Sequence, residues 1–270
     1  MFINSDKMKR RHTKEEKLEA LGEVLDVLDT LREKCPWDRK QTNESLRPNT
    51  IEETYELADA LMADDSANIC KELGDVLLHV AFYARIGEEK NDFDIADVCN
   101  ALTKKLIFRH PHIYGNVEAE TSEEVKQNWE KLKLKEKDGN KTVLGGVPKA
   151  LPAMIKAARI QEKASNVGFD WKNRSDVWEK VKEEMLEVEH EIEAKDSDHL
   201  KEEFGDLLFA VINAARLYGV DPENALEHTN RKFIHRFNHI EESAVKEGKR
   251  VSDLSLEEMD RFWNEAKKEE

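Results

Sequence analysis

Two clusters of carboxylates recur in this chain at a constant separation. Each has a Glu-Glu-x-x-Glu segment followed by a Glu-x-x-Asp segment, at 52–56 and 72–75 in the first copy and at 183–187 and 203–206 in the second. Every acid of the second copy lies 131 residues after its counterpart, as Asp206 does after Asp75. Residues three positions apart share a helix face, so the acids of each cluster can converge on one cation. Carboxylate oxygens favour Mg²⁺ or Mn²⁺ over Zn²⁺.

The candidate metal ligands are the acids that share a face within each segment. In the second copy they are Glu184, Glu187, Glu203 and Asp206, and in the first they are Glu53, Glu56, Glu72 and Asp75. Taken alone, either Glu-rich segment is typical of a solvated helix face. Two features favour a site. Like charges at this spacing repel, and the Glu-x-x-Asp segments lead into apolar stretches, 76–82 and 207–212, which predict helices buried on every face. A bound cation would offset the cost of burying these charges.

Basic and aromatic residues follow each acidic cluster in the same order. Both copies continue with a Lys-x-x-x-Arg pair and then a Trp-x-x-x-Lys pair: Lys105 with Arg109 and Trp129 with Lys133 in the first copy, Lys232 with Arg236 and Trp263 with Lys267 in the second. Phosphate is a common companion of carboxylate-bound Mg²⁺, and such cations would neutralise it. One basic pair is more typical of a surface ion pair, but recurrence of the whole order favours phosphate binding. The Trp residues fit either stacking on a base or capping the core.

The chain is expected to fold as two all-α helical bundles in tandem. Residues 52–86 match 183–217 without a gap, and apolar residues recur at helical spacing. A Gly- and Pro-rich stretch marks the boundary. In each bundle the two acidic helices are expected to form an antiparallel hairpin that turns near 64–68 or 195–198. We predict a mobile basic tail at 1–17, an N-terminal domain at 18–138, a linker at 139–152 and a C-terminal domain at 153–270.

Composition argues against several classes of function. The formal net charge is −15 and charged residues make up 37% of the chain, which argues against nucleic-acid binding through phosphate contacts. No apolar run is long enough to span a bilayer, so no membrane partner is expected. A P-loop motif is absent, which excludes a P-loop NTPase. The three cysteines include no C-x-x-C pair, which favours reduced thiols in the cytoplasm and disfavours a zinc site.

The chain resembles the MazG family of nucleoside triphosphate pyrophosphohydrolases. The resemblance rests on the acidic segments together with Cys-Pro-Trp-Asp at 35–38, Arg-His-Pro-His at 109–112, Asn-Val-Gly-Phe-Asp-Trp at 166–171 and Glu-Phe-Gly-Asp-Leu-Leu-Phe at 203–209. It extends from about residue 18 to residue 267. The acidic motif alone would indicate only the all-α NTP pyrophosphatase superfamily, which includes dimeric dUTPases. The flanking motifs and the tandem layout indicate MazG.

This resemblance implies hydrolysis of nucleoside triphosphates to monophosphate and pyrophosphate, dependence on Mg²⁺ or alternatively Mn²⁺, and a homodimer. It also implies that the C-terminal repeat is the main catalytic one. Its nucleotide contacts would be Lys180, Lys232, Arg236, Trp263 and Lys267. Because both sets of acids are intact, the sequence does not say whether the N-terminal repeat is catalytic. We expect a metal-activated water to attack the α-phosphate, with Glu183 or Glu203 accepting the proton.

A second class of function fits the same residues. A nucleotide-sensing scaffold would keep the metal-binding fold and regulate a partner without turnover. Retention of both the acidic and the basic sets favours the enzyme. Formation of monophosphate and pyrophosphate would support hydrolysis, whereas tight nucleotide binding without turnover would support the scaffold.

Overall fold

The chain is all-α in the part that the structure describes. The computed structural model describes residues 11–119, 121, 124, 125, 128, 129, 132 and 142–269. These residues form α-helices joined by turns and short 3₁₀ segments, with no strand among them, which confirms the predicted fold class. None of the described helices combines the length and apolar character that a bilayer crossing requires. The chain divides into two compact units between Asn116 and Val117.

The first unit is built around a helical hairpin. Its helices are α1 (Lys14–Lys34), α2 (Asn43–Met62), α3 (Ser66–Glu89), α4 (Ile95–Arg109) and α5 (Pro111–Tyr114). Helices α2 and α3 form the hairpin, and α1 packs against α3. The core between these three helices contains Leu28, Leu46 and Phe82, each about 2% exposed. The amphipathic face of α1 therefore covers one side of the acidic hairpin.

The start of α1 differs from the predicted basic tail. Thr13 caps this helix: its hydroxyl accepts from Glu16 N at 3.1 Å, and the Glu16 carboxylate accepts from Thr13 N. This capping box satisfies backbone donors that the first turn of a helix leaves free. The helix therefore begins at Lys14, and residues 14–17 are helical. Residues 1–10 of the predicted tail lie outside the described part.

The second unit contains the second hairpin and further helices that pack on it or on one another. Its helices are α6 (Ala153–Ser165), α7 (Asp176–Ala194), α8 (Ser197–Leu217), α9 (Pro222–Lys246) and α10 (Leu256–Glu269). Helices α7 and α8 form the hairpin, α6 packs against α8, and α9 packs against α6, α8 and α10. One apolar core lies in the hairpin around Val177, and another lies between α9 and α10 around Ile240.

The predicted linker at 139–152 does not separate the two units. Residues 142–152 belong to the second unit, and a 3₁₀ turn at Leu144–Gly146 packs against α6. Lys156 of α6 donates from Nζ to the Lys149 carbonyl at 2.8 Å. Gly and Pro here form a turn held against a helix. Residues 139–141 lie outside the described part.

Equivalent caps set the two hairpin turns, which confirms the turns predicted near 64–68 and 195–198. Asp65 Oδ1 accepts from two backbone N–H groups at the start of α3, and Asp196 Oδ1 does the same at the start of α8. The residue before each cap is left-handed: φ is 51° at Asp64 and 57° at Lys195. Such a cap ends one helix and starts the next within a few residues. The two arms then run side by side with their acids in register.

The expectation that α3 and α8 are buried on every face is wrong for the single chain. On α8, Leu208 is 58% exposed and Val211 is 43% exposed, and on α3 Leu73 is 52% exposed. The helices packed against each hairpin cover only part of its surface. Both hairpins therefore present apolar side chains that the described residues do not cover.

A glycine in α3 makes a close contact that can be tested. A Cβ added at Gly87 would lie 2.8 Å from the Phe93 ring and 2.8 Å from the Phe93 carbonyl oxygen. Gly87→Ala should therefore lower the free energy of unfolding by about 1–3 kcal/mol, because a backbone carbonyl cannot rotate away. The measurement is urea unfolding. Gly22→Ala in α1, where a Cβ meets nothing within 4 Å, is the matched control and should be neutral or stabilising. Equal losses would contradict the packing at Gly87.

Candidate functional site

Three acids of the second repeat converge between α7 and α8. Oxygen atoms of Glu184, Glu187 and Glu203 all lie within 4.8 Å of one another. Glu184 is only 5% exposed, Glu203 is half-buried and Glu187 is exposed. The hydrogen bond between Glu187 and Glu184, followed by burial, raises the pKa of Glu187 above its ordinary value. The fourth predicted ligand, Asp206, is not in this group of three but lines a neighbouring cavity beside Glu184.

This donor set fits a hard divalent cation. Mg²⁺ binds oxygen at about 2.0–2.1 Å, so ligands on opposite sides of one ion are about 4 Å apart. All the separations in the cluster are 4.8 Å or less, which is compatible with one such ion. All donors are carboxylate oxygens, which Mg²⁺ and Mn²⁺ prefer. Such an ion would be held by Glu184, Glu187 and Glu203.

Lys180 supplies a positive charge to this cluster. Its Nζ lies 2.6 Å from Glu184 Oε1 and 2.9 Å from Glu183 Oε1. The hydrogen bond to Glu184, followed by the one to Glu183, raises the pKa of Lys180. One turn of helix separates Lys180 from Glu184, so the cation offsets part of the repulsion within the segment. The structure thus places this predicted nucleotide contact beside the carboxylates, and it pairs the predicted proton acceptor Glu183 with a lysine.

The acids of the first repeat also converge, between α2 and α3. Oxygen atoms of Glu53, Glu72 and Asp75 lie within 4.8 Å of one another, while Glu56 is not in this group. Glu72 is 2% exposed, and its Oε1 accepts from Lys71 Nζ at 2.8 Å. Its Oε2 is enclosed and has no hydrogen-bond partner. Burial, followed by the negative charge of Asp75, raises the pKa of Glu53.

A cavity of about 620 Å³ opens beside the second cluster. Its charged lining residues include Lys180, Glu184 and Asp206. The rest of its wall is mostly apolar, contributed by α6, α7, α8 and the loop at 166–171. These lining residues are Leu144, Ile160, Ala164, Gly168, Phe169, Trp171, Val177, Phe209 and Ala210, together with the polar residues Gln161, Asp170, Asn213 and Arg216. Its volume lies within the range of small-molecule sites.

Arg216 fixes both the loop and one polar group of the cavity. Its guanidinium contacts both carboxylate oxygens of Asp170, at 2.5 and 3.1 Å, and donates to Asn213 Oδ1 at 2.8 and 3.1 Å. Because Oδ1 is the acceptor here, the amide group of Asn213 has its Nδ2 available to donate. Gly168 adopts a φ of 91°, which lets the loop turn back over the cavity.

Gln161 provides a hydrogen-bond acceptor. Its Nε2 donates to the Phe209 carbonyl at 2.8 Å, and its Oε1 is buried without a partner. The residue is 6% exposed and lines the cavity. A buried polar atom without a partner is costly and requires an explanation. The cavity therefore offers one amide donor, from Asn213, and one amide acceptor, from Gln161.

The remaining predicted nucleotide contacts form a separate group on α9 and α10. The Arg236 guanidinium lies 5.2 Å from the centre of the Trp263 ring, which packs edge-on against Phe233. Lys232 and Lys267 are exposed. None of these four predicted contacts lines the cavity. In the first repeat, Lys105 and Arg109 are on α4, while Lys133 lies outside the described part.

Comparison with known proteins decides the family. The sequence profile of the MazG nucleotide pyrophosphohydrolase domain matches residues 41–114 and 173–241. The chain belongs to the MazG family. Both matched segments contain a hairpin with its carboxylates, which confirms the resemblance and the tandem MazG repeat. Trp263 and Lys267 lie beyond the second matched segment.

Relatives with similar sequences carry the family name or activity. The chain is 45% identical over 248 residues to the nucleoside triphosphate pyrophosphohydrolase/pyrophosphatase MazG of Thermotoga maritima, covering 91% of this chain and 94% of that protein. It is 39% identical to the nucleoside triphosphate pyrophosphohydrolase of Escherichia coli, covering 94% and 99%. An uncharacterized Bacillus subtilis protein, YabN, is 48% identical over 87% of this chain and 49% of its own length.

Reasoning from the sequence missed the polar residues of the MazG cavity. Asn213 does interrupt the apolar run of α8, which is a usable signal. Gln161 gives no comparable signal, because it lies in a mixed segment and its unpartnered oxygen depends on how α6 packs against α8. Asp170 was recognised only as part of a loop motif.

The ion pair that holds the cavity loop can be tested by substitution. Asp170→Asn should lower the free energy of unfolding by about 1–2 kcal/mol, because a charged, partly buried hydrogen-bond pair is lost. It should also increase amide hydrogen exchange at 166–171. The control is Asp198→Asn, which removes a fully exposed ion pair to Lys201 and should change stability by less than about 0.5 kcal/mol. Unchanged exchange in Asp170→Asn would contradict the assigned role of Arg216.

Proposed function

We propose that this MazG-family protein hydrolyses nucleoside triphosphates to nucleoside monophosphate and pyrophosphate in its second unit, with Mg²⁺ or Mn²⁺. The observation that carries the proposal is the cavity beside Glu184 and Asp206, which joins a carboxylate cluster to an apolar chamber of nucleoside size. The names of the Thermotoga and Escherichia relatives support the same reaction. Base and sugar preferences are left open by this proposal.

The carboxylates have the role of metal ligands in this proposal. Glu184, Glu187 and Glu203 would hold the ion, and Asp206 would complete the set from the cavity side. A bound divalent cation supplies a water of lowered pKa and neutralises charge on phosphate oxygens. The second arm of the hairpin brings Glu203 to the acids of α7, so the packing of α7 on α8 fixes the geometry of the donors.

Lys180 would stabilise negative charge on the phosphate, and a neighbouring carboxylate would accept a proton. Lys180 is protonated at neutral pH and already lies against Glu183 and Glu184, where it can contact a phosphate oxygen. Such a preorganised cation stabilises charge that develops during phosphoryl transfer. Glu183 is exposed and hydrogen-bonded to Lys180, and Glu203 belongs to the ligand group. Either carboxylate would accept the proton of an attacking water.

The nucleoside would enter the apolar part of the cavity. Phe169 and Trp171 of the loop offer aromatic surfaces, and Phe169 is 84% exposed before any ligand covers it. Asn213 offers a donor and Gln161 an acceptor, and each base carries both kinds of group on its Watson–Crick edge. The amide pair can therefore orient a base without restricting the site to one of them.

A homodimer is part of the proposal. The exposed apolar side chains of the second hairpin include Leu186, Leu208 and Val211, which are 63%, 58% and 43% exposed. Several exposed apolar side chains on one hairpin are typical of a protein interface. A second copy of the chain would cover it. The net charge of −15 makes nucleic acid an unsuitable occupant of any surface dominated by that charge.

The scaffold alternative makes a different prediction from the same site. A nucleotide sensor would bind a nucleoside triphosphate with the cation and leave it intact. The apolar cavity fits this alternative as well as it fits hydrolysis. The Lys180 contact and the enzyme names of the relatives favour hydrolysis.

Product analysis with defined metals tests the reaction. Each nucleoside triphosphate incubated with the full chain and Mg²⁺ should yield monophosphate and pyrophosphate, and a chelator should abolish turnover because the donors are carboxylates. Phosphorus NMR identifies the products, and Mn²⁺ should restore activity after chelation. Formation of diphosphate and phosphate, or full activity in metal-free buffer, would contradict the proposal. Tight binding without turnover would support the scaffold.

Matched substitutions in the two repeats test where the reaction occurs. Glu187→Gln or Asp206→Asn should lower kcat/KM by about 10²-fold or more, because several kcal/mol of charge stabilisation are lost. The counterparts Glu56→Gln and Asp75→Asn, at the same motif positions, should have much smaller effects. Steady-state kinetics on purified, folded variants provides the comparison. Similar losses from both sets would show that each repeat is catalytic.

A further inference from the structure

The two repeats differ in side-chain size beside their carboxylates. In the second repeat, Ala210 and Asn213 line the cavity, and Val181 and Ala214 pack next to them. The residues 131 positions earlier are larger or aromatic at three of these four places: Thr50, His79, Phe82 and Tyr83. We call these four residues of the first repeat the Thr50 cluster. The acids match between repeats, but the neighbouring side chains do not.

The Thr50 cluster fills the space between α1, α2 and α3. The Thr50 hydroxyl bonds to the Tyr83 hydroxyl at 2.6 Å and to His79 Nδ1 at 3.1 Å. His79 is 7% exposed and Phe82 is 2% exposed. Phe82 also packs in the core with Leu28. These contacts join all three helices through side chains that the second repeat replaces with alanine, valine and asparagine.

The acids of the first repeat nevertheless keep an arrangement suited to a cation. Glu53, Glu72 and Asp75 converge within 4.8 Å. A second observation points to a ligand: Glu72 is 98% enclosed, since it is 2% exposed, and its Oε2 has no hydrogen-bond partner. An enclosed carboxylate oxygen without a partner is costly, and a bound cation satisfies it. The first repeat therefore keeps the carboxylates, whereas the side chains beside them differ from those of the second repeat.

We propose that the first repeat is a divalent-cation site closed to nucleosides by the Thr50 cluster. Its carboxylates hold Mg²⁺ or Mn²⁺ and stabilise the first unit, while the side chains of the cluster occupy the volume in which the second repeat takes the nucleoside. The inference rests on the proposed function for the assignment of the second cavity to the nucleoside. It attributes the division of labour between the repeats to packing beside the acids and not to loss of any acid.

Binding measurements on a variant with a disabled second repeat, called the disabled chain, test cation binding and nucleoside exclusion by the first repeat. In Glu187→Gln/Asp206→Asn, paramagnetic resonance should show Mn²⁺ bound at one strong site per chain, and adding Asp75→Asn should remove it. A non-hydrolysable nucleoside triphosphate analogue with an α,β-imido bridge should bind the wild-type chain in a Mn²⁺-dependent way, and the disabled chain should show no Mn²⁺-dependent binding of it. Mn²⁺-dependent binding of the analogue by the disabled chain, or absence of a Mn²⁺ site that depends on Asp75, would overturn the inference.

Transferring the cluster to the second repeat gives an independent test. Ala210→His/Ala214→Tyr should lower kcat/KM by at least about tenfold through KM, while the Mn²⁺ sites of the chain are retained. The matched control, His79→Ala/Tyr83→Ala, removes the same side chains from the first repeat and should leave turnover by the second at the wild-type level. Unaltered kcat/KM in the transfer variant would overturn the inference. If the variant does not fold, the binding experiment decides.

The two proposals fail in different ways. A wild-type chain that neither hydrolyses nor binds nucleoside triphosphates would overturn the proposed function, and the nucleoside part of this inference with it. A wild-type chain that hydrolyses them while the disabled chain still binds the analogue would overturn only this inference.

Discussion

Repulsion among carboxylates held on two packed helices is the constraint on which the structure depends. Glu184 is nearly enclosed between α7 and α8, with two further carboxylates within 4.8 Å, and Glu72 is enclosed in the same way between α2 and α3. Such groups are costly without a partner of opposite charge. Lys180 and Lys71 each supply one, and a divalent cation would supply more. The hairpin caps at Asp65 and Asp196 hold the helices that impose this crowding.

What distinguishes the two repeats is the chamber beside the acids. In the second unit, Ala210 and Val177 leave room for a cavity that ends at Glu184, and Arg216 holds the covering loop through Asp170. In the first unit, hydrogen-bonded and aromatic side chains fill the matching positions. A tandem duplication can therefore keep a carboxylate motif twice while the side chains beside it diverge. Small residues in a helix core indicate such a cavity, as clustered carboxylates indicate a candidate metal site.

The sequence was sufficient to predict the features that depend on local spacing. Helical periodicity predicted the all-α fold, and the acid spacing predicted which carboxylates converge, apart from Glu56 and Asp206, which lie outside the groups of three. Features that depend on packing were not predictable. The Gln161 Oε1 atom lacks a hydrogen-bond partner because of how α6 packs on α8. The apolar side chains of α8 are exposed because few helices cover it. The Gly-rich stretch identified a turn, whereas the units divide near Asn116.

The Mg²⁺ dependence of thermal unfolding tests the central claim most directly. Saturating Mg²⁺ should raise the melting temperature of the full chain, since a ligand at a hundredfold excess over its Kd stabilises the folded state by about 2.7 kcal/mol. In Glu187→Gln, the part of this gain that comes from the second repeat should be lost. Without metal, this variant should be at least as stable as the wild-type chain, because repulsion with Glu184 is relieved. The adjacent control Glu183→Gln should keep the gain. A full Mg²⁺ response in Glu187→Gln would contradict the account.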